Sequence, residues 1–449
     1  MSVPTPQERD AIIQSLRAGV VPKRGLQHIQ VGRVREIEEM IRDMDRIREG
    51  GAAMRFVIGD YGSGKTFFMN LLRLIAHQKG LVTMFADLAP DRRLHASAGQ
   101  ARGLYAELAR NLSTRSKADG GALPSVVERF LTRAQQEADA RSISTDAVIQ
   151  ERLAHFQELT GGFEFARVIQ LYWEGHETAD EDLITSAMRW LRGEFATRTD
   201  ARKALGLRTI VDDTNVYDHL KLMSVFVREA GYAGLLVGLD EMVNLYKLTS
   251  PGARTANYEQ ILRMLNDVLQ GSAAHLGFVL GGTPEFLADR RRGLFSYDAL
   301  QSRLAENSFA REGLVDLSGP IIRLENLTPE DLFVLLGNVR NVMQDSETAL
   351  PDEALHAFMA HCSNRIGEAY FRTPRNTVTA FVNLLSVLEQ NPDIAWTDLI
   401  DRVEVAPDQE DDPQLGCTNP PSIALRGTST SNDHDSPLSN DSALVEVRI

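Results

Sequence analysis

Met54-Arg55-Phe56-Val57-Ile58-Gly59-Asp60-Tyr61-Gly62-Ser63-Gly64-Lys65-Thr66-Phe67-Phe68 is the stretch on which the reading of this chain turns. Met54 to Ile58 is a short apolar run of strand type, and Phe67 to His77 reads as a helix that Gly80 stops. Between them, Gly59 to Thr66 satisfies G-x-x-x-x-G-K-T at every fixed position. Gly62 and Gly64 let the backbone wrap closely, so that its N–H groups face phosphate oxygens. Lys65 reaches β- and γ-phosphates, and the Thr66 hydroxyl is a ligand for Mg²⁺. The positive helix end near Lys65 favours the anion. Gly59, Asp60, Tyr61, Gly62, Ser63, Gly64, Lys65, Thr66 and the following Phe67 are therefore expected to bind ATP.

Outward from this stretch, the chain is helical from Thr5 to about Arg48, with a break at Gly19 to Gly32. Gly50-Gly51 ends the charged amphipathic helix that starts at Val34. Leu81 to Ala86 is a second buried strand. The region from about 91 to 231 is mostly helical, with loop signals at Asp119-Gly120-Gly121 and Gly161-Gly162, and reads as an insertion between core strands. Leu235 to Leu239, Leu276 to Leu280 and Pro320 to Leu324 are short apolar runs that suit parallel strands covered on both faces. Thr328-Pro329-Glu330 starts a helix, and Leu350 to Gln390 is helical with one break at Arg372-Thr373-Pro374-Arg375. The expected units are an N-terminal helical segment (1–50), a core (51–325), a C-terminal helical lid or winged-helix-like domain (326–404) and a disordered tail (405–449).

A chain of 449 residues has room for two or three compact units, and 43% hydrophobic with 24% charged residues is ordinary for a globular protein. The formal net charge of -14 disfavours non-specific nucleic-acid binding by the whole chain, although local basic strips remain open to it. Two cysteines, Cys362 and Cys417, build neither a disulfide framework nor a Cys-rich zinc site, and they suit a reducing compartment. His356, His361 and Cys362 are close in sequence but lack a metal-binding spacing. With no signal-peptide pattern and no apolar stretch of ~18 residues, the expectation is a cytoplasmic protein without a membrane span.

The apolar run Leu235 to Leu239 ends in Asp240-Glu241. Beside a phosphate cradle, the first acid is expected to hold the Mg²⁺ shell and the second to polarise the attacking water. The run Leu276 to Leu280 ends in Gly281-Gly282-Thr283, where Thr283 either contacts the γ-phosphate or is only a turn residue. Arg303, with Arg311 as the alternative, is the candidate arginine offered to a neighbouring subunit's ATP; an ordinary surface arginine fits either position equally well. Arg290-Arg291-Arg292 is a basic patch or a solvated helix end. Arg375, opening the helix after Pro374, is placed for a lid helix that presents an arginine to the phosphates. Arg102, Arg110 and Arg115 would serve DNA binding, but a solvated helix face explains them more simply.

In this order, the cradle, the Asp-Glu strand, the Thr283 strand, Ser302-Arg303-Leu304 and Pro374-Arg375 resemble AAA+ ATPases of the origin-recognition initiator type. More narrowly, Gly19-Val20-Val21-Pro22, Val31-Gly32-Arg33, the cradle with Phe67, and Arg372-Thr373-Pro374-Arg375 resemble the BREX-type ATP-binding protein family often called BrxD. The resemblance covers roughly residues 8 to 400. It implies an α/β P-loop NTPase with a parallel sheet, a large helical insertion and a C-terminal helical lid. It also implies anti-phage defence and action on DNA beside a helicase partner, and Arg303 adds the expectation of a homo-oligomer. Thr283 stands where that class often has Asn. Two other readings of the residues stay open here: a switch driven by ATP binding alone, and a P-loop kinase.

Overall fold

The apolar run before the glycine-rich turn forms β1, Ala52–Gly59, with every residue buried. In this computed structural model, which describes residues 3–305, 307, 316–344 and 349–406, four further strands join it. They are β2 (Val82–Asp87), β3 (Leu235–Asp240), β4 (Leu276–Gly282) and β5 (Ile321–Leu324). Every neighbouring pair is parallel, and the order across the sheet is β2-β3-β4-β1-β5. The fold is thus α/β on a parallel sheet, as the five continuous apolar runs suggest.

Alternation along the strands sends neighbouring side chains to opposite faces. Phe56, Met84, Val237 and Phe278 meet one core, while Val57, Leu236, Val279 and Ile322 meet another. The chain on either side of β1 supplies three helices: α1 (Pro6–Arg17), α2 (Val34–Arg48) and α3 (Lys65–Gln78). Met40, Met44 and Ile47 of α2 and Phe68, Met69 and Leu72 of α3 cover the second face. Arg55 is the charged residue of β1. It donates to Asp43 at 2.5 Å and Glu39 at 3.0 Å on α2, and to the Leu317 carbonyl at 2.7 Å. Removing one partner of such a buried pair strands the other charge and costs about 3–5 kcal/mol.

A second polar tie joins α3 to β2. His77 Nε2 lies 2.9 Å from Thr83 Oγ1, which is itself 2.8 Å from Ser113 Oγ. Burial, aided by the positive charge of Arg73, holds the His77 imidazole down to about 4 from an ordinary 6.5. A base whose folded value is depressed contributes stability above its unfolded value, and this is lost as pH falls toward the folded one. The window is therefore 6.5 down to 4. Denaturant titration should show His77 costing about 2 kcal/mol between pH 7 and pH 5. His77→Gln should flatten that part of the profile, and an identical loss in the variant would exclude His77 as its source.

Between β2 and β3 the chain is helical, without a strand among the described residues. The helices are α4 (Gln100–Arg110), α5 (Leu123–Arg141), α6 (Thr145–Leu153), α7 (Gly162–Thr178), α8 (Glu181–Leu191), α9 (Arg198–Leu205) and α10 (Val216–Glu229). Their aromatic residues Tyr105, Phe130, Phe165, Trp190 and Phe226 share one continuous core with the first face of the sheet. The insertion therefore forms a layer of the sheet's own core. After β3 come α11 (Val243–Tyr246) and α12 (Pro251–Leu269), and after β4 come α13 (Pro284–Ala288) and α14 (Asp298–Arg303).

Among the described residues, five helices follow β5: α15 (Pro329–Met343), α16 (Asp352–Ile366), α17 (Ala369–Arg372), α18 (Arg375–Gln390) and α19 (Trp396–Ile400). The β-hairpin that a winged helix needs is not among the described residues here. The interruption is wider than the sequence suggests, because Gly367 at φ +56° already ends α16. Ile12 of α1 belongs to this C-terminal core with Leu336, Phe358 and Phe381. Arg17 donates to Ser386 at 2.7 Å, and Thr379 donates to the Leu16 carbonyl at 2.9 Å. The N-terminal segment is thus shared: α1 packs with the C-terminal helices and α2 with the sheet. The expected disordered tail lies outside the described residues. Among those described, no helix is long and apolar enough to cross a membrane.

Candidate nucleotide site

β1 ends at Gly59 and α3 begins at Lys65, so the glycine-rich turn sits at the C-terminal edge of the sheet. Ligands of open parallel sheets collect at this edge, where helix N-termini point outward. Gly62 and Gly64 adopt φ +82° and +83°, a left-handed backbone that disfavours other residues. At Gly62 a side chain would also collide with the C-terminal helices. Its Cβ would stand 2.7 Å from Thr373 Cγ2 and 2.9 Å from the Arg372 carbonyl. Lys65 Nζ donates to the carbonyls of Gly59 at 2.8 Å and Asp60 at 2.7 Å. Arg33, just before α2, donates to the Ser63 carbonyl and to that of Glu325 at 3.3 Å. Arg375 stacks over the Tyr61 ring at 5.9 Å and donates to its hydroxyl at 3.4 Å.

On the same edge, Thr66 Oγ1 donates to Asp240 Oδ2 at 3.0 Å, across 174 positions of sequence. The Glu241 N–H donates to Asp240 Oδ1 at 2.8 Å, and Glu241 itself takes φ +57°. A non-glycine residue in that region costs about 1–3 kcal/mol and persists only where its surroundings impose it. Burial, then the neighbouring charges of Asp240 and Asp87, raises the Glu241 carboxyl above its ordinary value. Asp87 ends β2 in register with Asp240, and burial followed by the Asp240 charge raises it likewise. Burial lowers Lys65, opposed by Asp240 and Glu241. The sequence reading missed Asp87, although its signal was present: an apolar strand ending in an acid, as at Asp240.

The remaining site residues are scattered. Thr283 lies one residue beyond β4, and its hydroxyl accepts from the Phe286 N–H at 3.4 Å, capping α13. Arg303 is exposed on α14 and donates to Asn266 Oδ1 at 2.6 Å and the Ala299 carbonyl at 2.8 Å. Arg311 lies outside the described residues. Arg292 turns inward, donating to the Tyr246 and Leu248 carbonyls, so Arg290-Arg291-Arg292 does not act as one basic patch. Arg102 donates to the Gly193 carbonyl and Arg110 pairs with Glu107. Cys362 is buried, its thiol pushed up to about 12 by burial, and His356 stacks on Phe333. Among the described residues, no group of three or more His, Cys, Asp or Glu could hold a metal ion by itself.

Two cavities adjoin the turn. A polar cleft of about 480 Å³ runs from Thr66 and Asp240 along α3, past Asn70 and Arg73, and is faced by Asp87. An apolar recess of about 170 Å³ lies between Tyr61, Gly62 and Phe67 on one side and Val20, Val21 and Val378 on the other. A parallel sheet whose edge carries a glycine-rich turn, a lysine and a hydroxyl–carboxylate pair marks an α/β protein built to receive phosphate. The chain matches the family described as BREX system ATP-binding protein BrxC/D over residues 5–404, and it belongs to that family. No curated protein matches it.

Proposed function

We propose that the chain binds and hydrolyses Mg²⁺-ATP as an AAA+-type ATPase of a BREX phage-defence system in the cytoplasm. The observation that carries this reading is the 3.0 Å bond from Thr66 to Asp240, with Glu241 next in the chain. Oxygen donors of this kind suit Mg²⁺, which takes one or two carboxylates and fills its remaining positions with phosphate oxygens and water. Thr66 and Asp240 would hold the ion, which when bound neutralises charge on the β- and γ-phosphates. Lys65 exchanges its loop carbonyls for phosphate oxygens. Glu241, its proton affinity raised by burial and its acidic neighbours, orients a water and accepts its proton.

The apolar recess beside Gly62 is the place for the base, with Phe67 and Val20 against its faces. Arg375 reaches toward the phosphates from the C-terminal helices, which would act as the lid. The position of β4 between β1 and β3 supports the AAA+ reading, because it carries Thr283 to the edge beside Asp240. Contact of Thr283 with γ-phosphate would require its hydroxyl to leave the α13 cap. Arg303 supports assembly into a homo-oligomer, since it is held at the surface where a neighbouring copy's nucleotide could meet it. DNA and a helicase partner complete the proposal.

Phosphate release measured with and without duplex DNA, beside particle size by light scattering, tests this reading. Turnover that needs Mg²⁺ and particles larger than a monomer in ATP are the expected results. Undetectable hydrolysis under every condition would leave ATP binding alone as the output.

A further inference from the structure

Arg73 lies two turns along α3 from the cradle and is only 9% exposed. Among the described residues it has no hydrogen bond or ion pair, and its Nε is enclosed without a partner. Burying an unpaired guanidinium is costly, so proteins place such groups against a counter-charge. The carboxylate that acts on Arg73 is Asp119, but Asp119 is already paired with Arg24. Glu107, which lines the same cleft, is held by Arg110 at 2.7 Å and Asn111 at 3.1 Å. Among the described residues no group therefore hydrogen-bonds this guanidinium, and the one counter-charge acting on it is shared with Arg24.

What faces Arg73 is the polar cleft. Thr66, Asn70 and Arg73 follow one another at helical spacing along one face of α3, a span of about 10 Å. The Asn70 amide is also without a hydrogen-bond partner among the described residues, and Lys23 lines the same cleft. The cleft thus has an acidic end at Asp87 and Asp240, where the charge of Lys23 acts on Asp87, and Asn70 and the buried Arg73 lie further along α3. A planar guanidinium with free N–H groups matches the oxygens of a tetrahedral oxyanion.

We propose that Arg73, with Asn70, forms a second oxyanion site in this cleft, separate from the nucleotide cradle, that takes a phosphate group. The group is either free orthophosphate or the phosphate of a small monoester, and both share the same recognition chemistry. The site does not depend on hydrolysis in the cradle.

Calorimetry on the full chain separates the two sites. Orthophosphate and ribose 5-phosphate are titrated into wild type saturated with a non-hydrolysable ATP analogue, and into Lys65→Ala, Arg73→Met and Arg73→Lys. Binding is expected to persist in analogue-filled wild type and in Lys65→Ala, and to weaken about tenfold or more in Arg73→Met. Arg73→Lys should bind between the two, because it keeps the charge and loses the fork. Comparable affinity for both compounds assigns the free ion, and tighter ribose 5-phosphate assigns a monoester. The Arg73→Met melting temperature should not fall, since the substitution removes an unpaired buried charge and keeps an apolar stem. Four results would overturn the site: binding that vanishes with Lys65→Ala, binding unchanged in both Arg73 variants, an unfolded Arg73→Met protein, or no binding of either compound.

Discussion

Lys65→Ala is expected to remove nearly all of the thermal stabilisation that ATP confers. The ammonium is fixed at the first residue of α3 by two loop carbonyls, within the field of Asp240 and Glu241. Those acids, with Asp87 beside them, repel a polyanion, and Lys65 is the cation of the cradle that offsets them. Charge-assisted hydrogen bonds are worth about 1.5–3 kcal/mol each, so losing two weakens ATP binding by about a hundredfold or more. At ATP a hundred times the wild-type Kd, ligand stabilisation is about 2.7 kcal/mol and falls to about 0.4 kcal/mol after that loss. Thermal melts with and without nucleotide measure the difference. An ATP-induced shift equal to wild type would remove Lys65 from the binding role.

Glu241→Gln should separate binding from turnover. The amide keeps the size and backbone preference of the glutamate but cannot take a proton from water. Removing a general base typically costs about 10²–10⁴-fold in rate, and a loss in that range is expected in steady-state phosphate release. ATP binding should be equal or tighter, because one of three clustered acids is neutralised beside the phosphates. Full turnover in the variant would sink the proposed role of Glu241. The same protein also separates an ATPase from a switch driven by binding, since only a switch would keep its defence function without hydrolysis.

The cradle and the Asp240-Glu241 pair were legible because their signals are local. Left-handed turn positions select glycine, and an acid pair at the end of an apolar run stands out in any register. Asp87 was less visible: a single acid after a strand resembles a solvated strand end until β2 is known to lie beside β3. Arg73 carried no signal, since an arginine within a helix is ordinary unless its surroundings are known. Thr283 and Arg303 were ambiguous for the same reason. The helix cap at Thr283 and the Asn266 bond at Arg303 involve partners that spacing does not identify.

By itself, the sequence determined the strand–turn–helix at Gly59–Thr66, the five buried strands and the helical character of the insertion. These follow from glycine stereochemistry and from hydrophobic runs and periodicity, which act over a few neighbouring residues. Only the tertiary structure decided that β4 lies between β1 and β3, and that Thr66 meets Asp240. It also decided that Thr373 closes on Gly62, that α1 leaves its neighbours for the C-terminal core, and that Arg73 is buried without a partner. Each of these depends on which surfaces meet once the sheet has formed, and side-chain pairing across such surfaces is set by packing of the whole chain.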